Sequence, residues 1–127
     1  MTTYEQLLAD CIRWAKEAGR IQLELFRSDL DIEAKFNDSD VVTNADKASE
    51  KAIISEIRRA YPEHSVLSEE AGCDKRMNDW LWVIDPLDGT TNYSSGLPNF
   101  CVSIGVQHKG QTVVGVVYAP YLGEIFT

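Results

Sequence analysis

Histidine occurs twice and cysteine three times in these 127 residues, and that scarcity removes several chemistries at once. Cys11, Cys73 and Cys101 are an odd number with no close pairing, so neither a disulfide framework nor a zinc site is indicated. Buried or idle thiols in a reducing cytoplasm are the simplest reading. On that reading the sequons Asn37-Asp38-Ser39 and Asn92-Tyr93-Ser94 are accidental. A cysteine nucleophile acting on phosphate needs an arginine six positions later, where Glu17, Asp79 and Gln107 stand instead. His64 and His108 are isolated and are expected to be structural or exposed. Long apolar runs are missing too: Glu5, Asp10, Arg13, Lys16 and Glu17 interrupt the first twenty residues, so neither a signal peptide nor a membrane span is expected there. Basic charge is the last deficit. Twelve Lys and Arg face twenty Asp and Glu, for a net charge of −8, and the longest basic run is Arg58-Arg59. Such a surface repels a nucleic acid backbone, so no nucleic acid partner is expected. The excess carboxylate suits divalent cations, although a solvated acidic surface explains it equally well.

What remains is the composition of an ordinary globular protein, 44% hydrophobic and 25% charged, with one domain over residues 1–127. Leu7, Leu8, Cys11, Ile12, Trp14, Ala15, Ala18, Ile21, Leu25 and Phe26 recur at helical spacing and predict a helix over residues 4–27. Thr2-x-x-Glu5 and Thr3-x-x-Gln6 both fit a capping box at its start. A second helix is predicted over residues 45–61, with Ile53, Ile54, Ile57 and Tyr61 facing inward, Thr43 or Asn44 as cap and Pro62 as the stop. Residues 29–40 and 74–79 read as polar connections. Ser65-Val66-Leu67-Ser68 and the apolar run Trp80-Leu81-Trp82-Val83-Ile84 read as strands, with the two tryptophans as packing residues. Residues 100–108 and 111–119 read as a hairpin turning at Lys109-Gly110. The expectation is an α+β fold, two N-terminal helices on a mostly antiparallel sheet. Glu124-Ile125-Phe126-Thr127 reads as a strand just beginning, so the chain looks truncated and its unfinished sheet predicts self-association, a homodimer being the simplest form.

The chemical signal is Trp82-Val83-Ile84-Asp85-Pro86-Leu87-Asp88-Gly89-Thr90-Thr91-Asn92. A buried strand ends at Asp85, Pro86 is expected to fix a turn, and a turn of that length folds Asp85 and Asp88 towards one point. Gly89 lets backbone approach a ligand, and residues 90–93 are expected to open a short helix whose N–H groups favour an anion such as phosphate. Oxygen ligands without His or Cys point to Mg²⁺ rather than Zn²⁺. Glu69-Glu70 follow the short strand and bring a third carboxylate to the same edge. For an isolated D-P-x-D-G turn a purely structural role would be the better reading; the placement after a buried strand and before Gly-Thr-Thr weakens it. Asp38-Ser39-Asp40-Val41-Val42 has the letters of an aspartyl-phosphate motif, but Lys35-Phe36-Asn37 is not the buried strand that motif requires.

Asp85-Pro86-Leu87-Asp88-Gly89-Thr90-Thr91-Asn92 resembles the signature of the inositol monophosphatase family, lithium-sensitive magnesium phosphomonoesterases. Asp40-Val41-Val42-Thr43-Asn44-Ala45-Asp46 resembles that family's first motif and Ser68-Glu69-Glu70 its glutamate motif, in the same order. The resemblance implies a sugar-phosphatase fold and hydrolysis of a small phosphomonoester, most simply inositol monophosphate, by metal-activated water, with no side-chain nucleophile. It implies that Glu69, Asp85 and the Leu87 carbonyl hold one Mg²⁺, and that Asp85 and Asp88 share a second, with Glu69 near a third through water. Gly89 and Thr90 would donate backbone N–H groups to phosphate, while Thr90 and Asp46 would position and deprotonate the attacking water. Lys35 matches a lysine near the site, though an exposed lysine is as simple a reading, and Glu70 would stand behind the ligands or in solvent. Histidinol-phosphate, bisphosphate-nucleotide and fructose-bisphosphate phosphatases are the related alternatives. A non-catalytic metal- and phosphate-binding partner is the alternative of another class, because family members complete the site with a later Asp that these residues do not supply.

Overall fold

The computed structural model describes residues 3–25, 38–68, 72–74, 76, 78–89, 92–93, 97 and 99–127, with the side chains of 38–43 and 73–74 left aside. Helix α1 (Tyr4–Leu25) begins as its sequence predicts: Thr3 Oγ1 accepts a hydrogen bond from the Gln6 N–H at 3.1 Å, one half of a capping box. Leu7, Cys11, Trp14, Ala15 and Ala18 form its buried stripe. Phe26 and Arg27, expected at its end, lie outside the described residues. Helix α2 (Asp38–Ala60) carries Ile53 and Ile57 fully into the core and stops before Pro62. It starts seven residues earlier than periodicity predicts, so residues 38–40 are helix rather than loop. Asp and Ser suit a first helical turn, and the β-branched Val41 and Val42 cost too little to break one. Between Asp38 and Ala45 the sequence offers only the adjacent Val41 and Val42 as apolar residues, too few for apolar periodicity to register the first two turns.

The strands are β1 (Ser65–Ser68), β2 (Gly72–Asp74), β3 (Trp80–Asp88), β4 (Cys101–His108), β5 (Gln111–Ala119) and β6 (Glu124–Phe126). They form one sheet in the order β2-β1-β3-β4-β5-β6, antiparallel throughout except for the parallel β1–β3 pair. Two helices on a mostly antiparallel sheet is thus the observed arrangement. β2 takes up part of what read as a connection: three residues show no alternation, and pairing with β1 is what makes them a strand. At Lys109-Gly110 both residues have positive φ, 53° and 83°, the twist a two-residue hairpin prefers.

α1 packs on α2, β4 and β5, and α2 packs on β3, so both helices cover one face of the sheet. Trp14, Ile53, Ile57, Trp82, Ile104 and Val116 belong to the core between them. A smaller cluster of Ala45, Leu87, Tyr93 and Phe100 lies under the Asp85–Asp88 segment and fixes it from below. Beyond Tyr61 the rings of His64, Trp80 and His108 stack in series, with centroids 4.9 Å (Tyr61–His64), 5.5 Å (His64–Trp80) and 4.0 Å (Trp80–His108) apart. Buried His64 accepts the Trp82 indole N–H on Nδ1 at 3.0 Å, a structural role as expected.

Candidate functional site

β3 does not end at Asp85. It runs to Asp88, and its pairing with β4 slips on the way: Asp85 lies opposite Ser103, whereas Asp88 lies opposite Cys101. Three steps along β3 therefore match two along β4, which is a bulge of one residue. The expected turn at Pro86 is corrected to this bulge. The reason is chemical: Pro86 has no N–H to give the ladder, so the strand can absorb an extra residue there without losing a donor.

The bulge decides where the carboxylates go. In a regular strand residues three apart point to opposite faces. Ser103 and Cys101 are two apart on β4 and share a face, so the slip brings Asp85 and Asp88 to that same face. The Cys101 thiol reports the result. Sγ lies 3.9 Å from Asp88 Oδ2, and its pKa is raised by burial first, then by the charge of Asp88 and then by that of Asp85. Two carboxylates thus act on one point. Between them Pro86 and Leu87 turn inward and are buried.

Gly89 follows with φ of 86°, and a Cβ there would sit 2.6 Å from the Asn99 carbonyl oxygen. A side chain is excluded by both conformation and space, so the backbone after Asp88 stays bare. The Tyr93 N–H bonds back to the Gly89 carbonyl at 3.0 Å, and residues 92–93 are helical, in keeping with the short helix the sequence predicts. Asn92 Nδ2 donates to the Asn99 carbonyl at 2.9 Å and closes this loop onto the start of β4.

Asp46 is placed separately, buried on α2. Its helix is tied to the bulge through Ser49, one turn on, whose Oγ accepts from Gln22 Nε2 at 3.1 Å, while the same Nε2 donates to the Pro86 carbonyl. Glu50 accepts the Ser68 hydroxyl at 2.5 Å, anchoring the last residue of β1 beside Ile84 of β3. Of the residues singled out from sequence, Asp85, Leu87, Asp88 and Gly89 are therefore brought together and Asp46 is linked to them. Glu69, Glu70, Thr90 and Lys35 lie outside the described residues. Sequence reasoning missed Gln22, Ser49 and Glu50. Gln22 was findable as a polar residue in register with the buried stripe of α1, and Glu50 as the i+4 neighbour of Asp46.

The two carboxylates of the bulge are hard oxygen donors, and their action on one point at Cys101 fits a small divalent cation such as Mg²⁺. Among the described residues no three His, Cys, Asp or Glu side chains form a metal-holding group. Neither does any described helix have the length and apolarity to cross a membrane.

Comparison with known proteins places these features. A sequence model of the inositol monophosphatase family matches residues 3–127. The Nus factor SuhB of Pasteurella multocida is 49% identical over 124 residues, covering 95% of this chain and 46% of that protein. The Nus factor SuhB of Escherichia coli K12 is 46% identical over 123 residues, again covering 46% of its length. Among solved structures, the inositol monophosphatase from Anabaena superposes with a TM-score of 0.83 at 40% identity, over 98% of this chain and 44% of that one. The extragenic suppressor protein suhB from Bartonella henselae gives 0.83 at 32% identity, over 94% and 46%. The chain thus spans about half the length of the relatives it matches. With its signature segment folded into a carboxylate-bearing bulge on the family's sheet, the chain belongs to the inositol monophosphatase family.

Proposed function

We propose that this chain carries the metal- and phosphate-binding portion of a Mg²⁺-dependent phosphomonoesterase whose most fitting substrate is inositol monophosphate. The observation that carries the reading is the one-residue slip between Asp85 and Asp88, which turns two carboxylates to one face and leaves the backbone at Gly89 bare. When bound, Mg²⁺ supplies charge neutralisation for the phosphoryl group and activation of water. The chain's own residues do the rest. Asp85, Asp88 and the Leu87 carbonyl hold cations, with Glu69 as the further carboxylate. The Gly89 and Thr90 N–H groups orient phosphate, and Asp46, with Thr90, accepts the proton of the attacking water. Lys35 and Glu70 are assigned supporting places at the rim. Lithium sensitivity and a cytoplasmic setting belong to the same proposal, the latter supported by free thiols at Cys11 and Cys101.

Phosphate release from inositol 1-phosphate tests this. Mg²⁺-dependent release that falls with Li⁺ and is lost in Asp88→Asn supports it; release that is independent of Mg²⁺ or unchanged in Asp88→Asn contradicts it. A second reading, a metal- and phosphate-binding unit without turnover, is favoured by the span of the chain, about half the length of the relatives it matches. Mg²⁺ binding without release would select it. We also propose that the chain self-associates through the edge of its sheet at β6, where Phe126 is exposed. A monomer by sedimentation at high concentration contradicts that.

A further inference from the structure

A bulge leaves a backbone group outside the ladder, and a buried carbonyl must find a donor elsewhere. At this bulge the carbonyl is that of Pro86, and the donor is Gln22 Nε2 from α1. The same residue is held a second time: its own backbone carbonyl accepts the Tyr93 hydroxyl at 3.0 Å. Tyr93 is the residue whose N–H bonds the Gly89 carbonyl. Gln22 therefore grips the segment from Pro86 to Tyr93 at both ends, by side chain before Asp88 and by main chain after Gly89.

Gln22 is fully buried on the stripe otherwise made of Leu7, Cys11, Trp14, Ala15, Ala18 and Gly19. Its Oε1 has no hydrogen-bond partner among the described residues. A buried amide oxygen left in that state destabilises a fold, and a leucine or methionine would fill the same space without that penalty. Packing alone does not account for an amide here; the donor to Pro86 does.

We propose that Gln22 is a positioning residue for the cation site, holding the bulge in the register that turns Asp85 and Asp88 to one face. The cation arm of the proposal rests on the function proposed above; the register arm does not. Loss of the Nε2 donor frees the Pro86 carbonyl, and the strand then gains by sliding back to regular pairing, which sends one carboxylate to the opposite face.

The test compares Gln22→Met with Ser49→Ala. Both remove a contact of Nε2, but Ser49→Ala keeps the bond to Pro86. Mn²⁺ titration followed by electron paramagnetic resonance should show affinity lowered about 10–100-fold in Gln22→Met and within about twofold of the parent in Ser49→Ala, although both lower the melting midpoint. Amide hydrogen exchange on the metal-free chain gives a readout independent of the ion: Gln22→Met should speed exchange at Asp88 and Tyr93 while Val102, Ile104 and Val106 keep their protection. Exchange unchanged at Asp88 and Tyr93 overturns the role of Gln22, as does equal loss of Mn²⁺ affinity in the two variants. A parent chain that binds no Mn²⁺ but shows the exchange pattern overturns the proposed function and leaves the positioning role standing. Should Gln22→Met fail to fold, Tyr93→Phe, which cuts only the outer grip, is read by the same exchange criterion.

Discussion

At Gly89 conformation and space act together. The residue needs a φ of 86°, and any Cβ meets the Asn99 carbonyl oxygen at 2.6 Å and the Phe100 Cα at 3.2 Å. Neither obstacle is the far end of a flexible side chain, so the loop itself has to move. Gly89→Ala is expected to destabilise the chain by about 1–3 kcal/mol and to displace the segment before β4; urea unfolding checks the first effect. Cys101 is instructive in a different way. Its thiol is pushed up by burial and by two aspartates, so it stays protonated and a poor nucleophile at neutral pH. Slow modification by a thiol reagent, accelerated in Asp88→Asn, is the expected outcome; equal rates would mean the two carboxylates do not act on it. The signature segment stood out in the sequence because its Asp-Pro-x-Asp-Gly follows a buried apolar run and leads into Thr-Thr, a placement that a solvated turn does not need. Gln22 stood out only as a polar residue in register with the buried stripe of α1; its job was not legible, because it is set by a carbonyl 64 positions away.

Among the elements, α1 approaches β5 closely at Gly19. A Cβ on Gly19 would lie 2.5 Å from Tyr118 Cε2 and 2.9 Å from Pro120 Cβ. The helix sits that close because Gly19 has no side chain, so Gly19→Ala should cost about 1–3 kcal/mol through overpacking despite the better helix propensity of alanine. A Tm at or above that of the parent would contradict the packing. At the other end of the sheet, His64 links the end of α2 to β3. Burial lowers its pKa from 6.5; neighbouring His108 adds to the lowering, Glu63 opposes it, and the Arg58 guanidinium bonds its carbonyl at 2.9 Å. The unfolded chain then binds a proton more readily than the native one once pH falls below 6.5. Stability should drop as pH falls from that point through the lowered native pKa, then level off. His64→Gln, which keeps an acceptor for Trp82 but does not titrate, should lose this part of the pH dependence of the unfolding midpoint. The strands of the hairpin were legible from alternation and the Lys109-Gly110 turn. β2 and the first turns of α2 were not, since one is made by its neighbour and the other carries no apolar stripe.

For the molecule as a whole, the sequence predicted two helices against one face of a mostly antiparallel sheet, and the fold has that form. What periodicity could not supply was the register slip at Pro86. Three residues of spacing are equally compatible with a turn and with a bulge, and the choice depends on what β4 and α1 offer across the chain. The slip is what converts two aspartates on one strand into a pair on one face. The most direct measurement is calorimetric titration of the chain with Mg²⁺, beside its Asp88→Asn variant, with the far-UV spectrum confirming that both are folded. The account predicts saturable binding by the parent chain and an affinity lower by at least about tenfold in the variant. Equal affinities in the two, or no binding by a folded parent chain, would contradict it.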